Sequence, residues 1–154
     1  MTFTIRLKSA AVGLACLTAT ALLGIPSQAT AADLAWTATR TSFTQLGGGK
    51  TASKGTAVFT GGDKADTSST CTTEPKDAKG WVVVKCESEY RFTDGSLIVL
   101  LINSSHDEKT LDAKADASFT AGKGRFEGIS GKAAGTGLMG KMQWSGSYSL
   151  PARK

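Results

Sequence analysis

The chain has one histidine, His106, and three cysteines, Cys16, Cys71 and Cys86, with no CxxC or CxxCH spacing. Those shortages exclude a histidine/cysteine zinc centre and covalently attached haem, and neither a metal nor a cofactor is expected. Charge of one sign is also scarce. Eighteen basic residues against 13 acidic ones give +5, and Lys50, Lys54 and Lys64 are scattered through a Gly/Thr/Ser-rich stretch with aspartates nearby. Holding nucleic acid by counterion release needs about six to ten phosphate contacts from one clustered face, so that partner class is excluded. Aromatic residues make up only 7%.

One long apolar run exists, from Ala10 to Ile25, preceded by Arg6 and Lys8 and followed by Pro26 and Ala29-Thr30-Ala31. This is the pattern of a secretory signal peptide spanning residues 1–31, with cleavage after Ala31 and a single domain over 32–154. Without Arg6 and Lys8 the mature charge falls to +3. No second segment approaches the roughly 18 apolar residues needed to span a bilayer, so the mature chain is expected not to insert in a membrane. Cys16 lies inside the apolar run with Gly13, not a leucine-like residue, three positions before it, which argues against lipoprotein processing. The expected destination is the periplasm or the extracellular space.

After the leader two cysteines remain, Cys71 and Cys86, and an even pair in an exported chain reads as one disulfide. Closing a loop of about 15 residues is worth on the order of 3 kcal/mol in the chain-entropy account.

The rest of the chain alternates with period two. Leu34, Trp36 and Ala38 share one face against Ala35, Thr37 and Thr39; Gly47-Gly48-Gly49 is a loop; Ala57 and Phe59 oppose Val58 in a strand from Thr56 to Thr60. Gly61-Gly62-Asp63 turns the chain into a Thr/Ser-rich strand ending near Cys71, and Glu74-Pro75-Lys76-Asp77 with Gly80 is a further turn. From Trp81 to Phe92, Val82, Val84, Cys86, Ser88, Tyr90 and Phe92 face one way and Lys85, Glu87, Glu89 and Arg91 the other. That alternation separates an inside from an outside. Asp94-Gly95 marks a hairpin into Leu97-Ile98-Val99-Leu100-Leu101-Ile102, which is apolar on both faces. Its outer face must be covered by a loop, a terminus or a second subunit, so a homo-oligomer through Leu97–Ile102 is one expectation. After the hydrophilic loop around Ser105, His106, Asp107 and Glu108, alternation resumes with Leu111, Ala113, Ala115, Ala117 and Phe119, and again with Met142, Trp144, Gly146, Tyr148 and Leu150. About eight short strands, no amphipathic helix and abundant glycine indicate an all-β antiparallel barrel or sandwich, and closure into a barrel removes exposed edges.

Several familiar motifs fail on spacing. A phosphate loop ending at Gly49-Lys50-Thr51 needs glycine where Thr44 stands, and a nucleophile elbow at Gly128-Ile129-Ser130-Gly131-Lys132 needs glycine where Lys132 stands. Glu87 and Glu89 lie roughly 6 to 7 Å apart on one strand face, but Lys85 and Arg91 share it, which reads as a charge-paired outer surface. Asn103-Ser104-Ser105 fits a glycosylation sequon.

The stretch Gly122-x-Gly124-Arg125-Phe126-x-Gly128-x-x-Gly131 resembles the glycine-rich segment of the allene oxide cyclase and dirigent-like barrels. The resemblance implies a strand end, a tight turn and a compact linker in which Phe126 packs down while the glycines permit positive φ or close backbone approach. That superfamily includes cyclases, proteins that steer radical coupling and exported bacterial proteins. The leader and the Cys71/Cys86 pair resemble the exported bacterial members.

Three functions follow as expectations. The leading one is a non-enzymatic interaction or scaffold protein, acting through the Leu97–Ile102 face or the loops at Gly47–Lys54 and Glu74–Lys79. The second is a binding protein for a small apolar or aromatic molecule, with Trp36, Phe59, Tyr90, Phe92, Trp144 and Tyr148 lining the barrel interior; the same residues otherwise simply form its core. The third is a cyclase or isomerase acting by confinement. Mass spectrometry of the exported protein before and after reduction tests the covalent expectation: Cys71 joined to Cys86, against free thiols on both if the compartment argument is wrong.

Overall fold

The computed structural model describes residues 31 to 152; apart from Ala31, the predicted leader, with Cys16, lies outside the described residues. Eight antiparallel strands follow one another around a closed barrel: β1 (Ala31–Gly47), β2 (Lys50–Phe59), β3 (Lys64–Glu74), β4 (Val82–Phe92), β5 (Leu97–His106), β6 (Asp112–Lys123), β7 (Ser130–Leu138) and β8 (Lys141–Ser149). Closure comes from β1 pairing with β8, in a ladder running from Ala31↔Ser149 to Thr39↔Lys141. Every strand therefore has two neighbours, and no edge is left open to pair with another chain.

The period-two reading assigns the faces correctly along most of the chain. Ala57 and Phe59 are buried while Val58 is exposed, and Tyr90 and Phe92 are buried while Arg91 is exposed. On the outer face Arg91 pairs with Glu89 at 2.8 Å, so the carboxylate pair in the sequence belongs to a solvated surface. Leu111 departs from the pattern. It sits in the turn before β6 with φ of 61° and is exposed, because the Asp107 carboxylate accepts hydrogen bonds from the amides of Lys109 and Thr110 and shapes that turn.

On β5, alternation is hidden because both faces are apolar. Ile98, Leu100 and Ile102 point inward and are buried. Of the outward residues, Leu97 is also buried, Val99 is half-buried and Leu101 is exposed. Leu97 stands in register between Arg91 and Lys123 and is the one outward residue of the three that is sheltered within the chain itself.

The two ends of the barrel differ. At one end, called the closed end, the β6–β7 connection forms a short 3-10 helix (Gly124–Phe126) and continues to Ile129, and both Phe126 and Ile129 are buried. Phe126 packs against Phe92 with ring centroids 4.9 Å apart and against Tyr148 at 6.4 Å. The plug can sit this deep because residue 122 is glycine: a Cβ there would lie 2.1 Å from the Phe126 carbonyl oxygen. Gly124, Gly128 and Gly131 complete the segment at its turn, beneath Pro151 and beside Ser147 respectively.

Arg125 fastens the plug. Its guanidinium lies 4.7 Å from the Phe92 ring centroid and 4.8 Å from that of Phe126, and pairs with Asp63 at 2.6 Å and Asp94 at 3.5 Å. One side chain thus ties the β2–β3 and β4–β5 turns to the β6–β7 linker, while its backbone N–H donates to Ser96 Oγ. Because the plug is a buried aromatic, Phe126→Ala is expected to lower unfolding free energy by about 3 to 5 kcal/mol in a urea titration, whereas the exposed Val58→Ala shifts it by less than about 0.5 kcal/mol.

Candidate functional site

On β2, β4 and β6 the inward positions run from aromatic residues at the closed end to smaller ones at the other. On β4 the order is Phe92, Tyr90, Ser88, Cys86, Val84, Val82; on β6 it is Phe119, Ala117, Ala115, Ala113; on β2 it is Phe59, Ala57, Gly55, Ser53, Thr51. An eight-stranded barrel is just wide enough to be filled by side chains. Here the large residues fill one half, and the small ones leave a cavity of about 360 Å³ in the other, open at the barrel end.

Trp144 and Tyr90 contribute to its inner wall where the filled half begins. Trp144 stacks on Trp36 at 5.5 Å and 4°, and can lie flat because residue 135 is glycine, where a Cβ would come 2.8 Å from the indole ring. Of the six aromatic residues expected around the interior, Tyr90 and Trp144 line the cavity; Trp36, Phe59, Phe92 and Tyr148 are placed in the packed half. The indole Nε1 atoms of Trp36 and Trp144 are buried without hydrogen-bond partners.

The wall has two chemistries. Thr51, Ser53, Thr67, Ser69, Thr73, Ser88 and Ser104 supply hydroxyls from β2 to β5, with Ser88 Oγ donating to Ser69 Oγ at 2.7 Å. Ile102, Ala113, Ala115, Met139 and Met142 supply apolar surface. The Cys71–Cys86 disulfide crosses directly between opposed residues of β3 and β4 and forms part of the same wall. It is compatible with an exported protein, since such bonds persist in oxidising compartments.

The mouth carries residues that the sequence reading placed elsewhere. His106 is the last residue of β5, buried on the cavity side at 9% exposure, and not a member of a hydrophilic loop. Counting the β5 parity two steps beyond Ile102, through Ser104, points to it. Loss of hydration holds its pKa below the ordinary histidine value; Arg40 pushes the same way, and Glu108 and Asp107 oppose. Phe43 and Gln45 also line the cavity. They reach it because a bulge at Thr41 shifts the β1–β2 register between Arg40 and Ser42, so odd-numbered residues of β1 turn inward thereafter. The Thr41 hydroxyl donates to the Lys54 carbonyl at this point.

Arg40 borders the cavity with its guanidinium 5.0 Å from the Phe43 ring centroid. Among the described residues it makes no ion pair, while the neighbouring Glu108 is engaged by Lys76. The described residues contain no group of three His, Cys, Asp or Glu placed to hold a metal ion.

No protein-family model matches the chain, and no curated protein matches it. Among solved structures, a β-barrel-like protein from Acinetobacter baumannii AYE is similar, with a TM-score of 0.49 and 12% identity over 80% of this chain and 96% of that one.

Tyr90 gives the inner wall a pH signature. Burial pushes its pKa up to about 12. Between about pH 10 and 12 the unfolded chain loses this proton and the folded one keeps it, so stability present below pH 10 is lost as pH rises through that window. Thermal melts from pH 8 to 11.5 are expected to show a loss of about 2 kcal/mol that is absent from Tyr90→Phe.

Proposed function

We propose that the protein is a small-molecule binding barrel that takes a compact amphipathic ligand through its open end. The observation that carries this reading is the half-filled interior: a cavity of about 360 Å³, within the usual range for ligand sites, behind a mouth wide enough to admit solvent. A barrel serving only as a scaffold has no need of alanine and glycine where aromatic residues would complete its core.

The lining supports an orientation. The apolar body lies against Trp144, Tyr90, Ile102 and Met142, the hydroxyl-bearing strands accept polar substituents, and an anionic head such as a carboxylate meets Arg40 at the mouth. Recognition by a preformed pocket with few directed polar groups is the chemistry of a carrier or sensor of small organic acids.

A panel of compact aromatic and alicyclic carboxylates, each beside its neutral amide, tests the proposal by tryptophan fluorescence and melting temperature. Saturable quenching with a raised melting temperature is expected for at least one acid. Arg40→Gln should weaken that acid about 10-fold or more while leaving its amide within about twofold, since a charge-assisted contact is worth about 1.5 to 3 kcal/mol. Ala115→Phe, which fills the cavity, should abolish both. A panel without any saturable response, together with a bare protein mass in native spectra of material from its own producer, overturns the reading.

A further inference from the structure

The surface of the open end differs from the remainder of the barrel in two independent ways. Six large apolar side chains are exposed among the described residues, and four of them surround the mouth: Phe43 and Leu46 on the β1–β2 hairpin, Leu111 before β6 and Leu138 at the end of β7. The turns at the closed end expose none of this kind. Two backbone bonds hold these apolar tips around one opening, Met139 N–H to the Leu111 carbonyl at 2.8 Å and Arg40 N–H to the Gly140 carbonyl at 2.7 Å.

The second difference is charge. From Thr39 to Lys54 the hairpin carries Arg40, Lys50 and Lys54 and no carboxylate, and the β7–β8 turn adds Lys141. Across the opening the β3–β4 and β5–β6 connections mix Glu74, Asp77, Asp107 and Glu108 with Lys76, Lys79 and Lys109, and at the closed end Lys64, Lys123 and Arg125 stand among Asp33, Asp63, Asp94 and Glu127. The unopposed positive sign is thus confined to one side of the rim, where β1 and β8 are neighbours.

We propose that the open end docks on an anionic lipid bilayer. Phe43, Leu46, Leu111 and Leu138 enter the boundary between headgroups and acyl chains, while Arg40, Lys50 and Lys54 pair with lipid phosphates. Charge complementarity selects this occupant: on that side of the rim Arg40, Lys50, Lys54 and Lys141 are interleaved with Phe43, Leu46 and Leu138, with no carboxylate in either the β1–β2 hairpin tip or the β7–β8 turn. Docking is peripheral and is tested at Leu46, Leu138, Lys50 and Lys54, none of which the ligand proposal uses, so it stands or falls separately from ligand binding in the cavity. If both hold, the amphipathic ligand passes between membrane and cavity without crossing water.

The test is co-sedimentation of the exported, disulfide-bonded protein with phosphatidylcholine vesicles, alone or mixed with phosphatidylglycerol. Binding to the mixed vesicles, weakened by salt, is expected, with little binding to phosphatidylcholine alone. The double variants Leu46→Ser/Leu138→Ser and Lys50→Glu/Lys54→Glu should each reduce partitioning about 10-fold or more, with the melting temperature unchanged because all four side chains are exposed. The wall variant Val58→Ser/Leu101→Ser should leave it unaltered. Absence of binding, equal partitioning into both vesicle types, or an equal loss in the wall variant overturns the proposal, as does retention only by a protein partner.

Discussion

Trp36 meets aromatic rings from four other strands: Phe59 of β2, Tyr90 of β4, Phe119 of β6 and Trp144 of β8, with centroids between 5.5 and 6.3 Å away. No other described residue joins so many parts of the barrel wall through ring contacts. Stacked and tilted arrangements add to the large area such side chains bury, and together they replace the hollow centre of an eight-stranded barrel with a solid half. The remaining features follow from that placement. Because the bulky side chains are concentrated toward the closed end, the other half has little to fill it; because the plug seals their outer side, solvent reaches the interior from one direction only.

The sequence made this architecture legible wherever one face was polar. The order Val82, Val84, Cys86, Ser88, Tyr90, Phe92 against Lys85, Glu87, Glu89, Arg91 defines an inside directly, and the opposed cysteines fall on it. Legibility failed where the backbone departs from strict alternation. The bulge at Thr41 inverts the parity of Phe43 and Gln45, and nothing in Arg40-Thr41-Ser42 announces it. His106 was obscured for a different reason: its neighbours Ser104, Ser105 and Asp107 have loop composition, although the ladder with β4 continues to Val82↔His106. Leu111 was misplaced because its hydrophobicity fitted a strand whose first residue is Asp112.

The glycine-rich segment shows what composition conveys without geometry. Its spacing implied a tight linker with a buried aromatic, and Phe126 is buried beneath Gly122 as that implied. Arg125, between Gly124 and Phe126, belongs to that motif, but the sequence assigns it no role. In the fold Arg125 is the meeting point of two turns and two rings, a role visible only once Asp63, Asp94 and Phe92 are brought together by strands distant in sequence. Separations of this kind are invisible to local pattern, since the pairing partners are set by barrel closure.

The Cys71–Cys86 bridge lies on the hollow side, beside Ser88, Ser69 and Ile102, and away from the aromatic half. Side chains there bury little surface, so the open half has less cohesion of its own and depends on backbone ladders and one covalent tie. Backbone amides along a single strand are therefore expected to differ in their lifetimes against exchange with deuterium, slow near Phe92 and Tyr90 and faster toward Val82, with β3 and β4 protected together by their shared cross-link. The protein is thus rigid at one pole and locally openable at the other, and its compliance lies at the pole where a guest must enter.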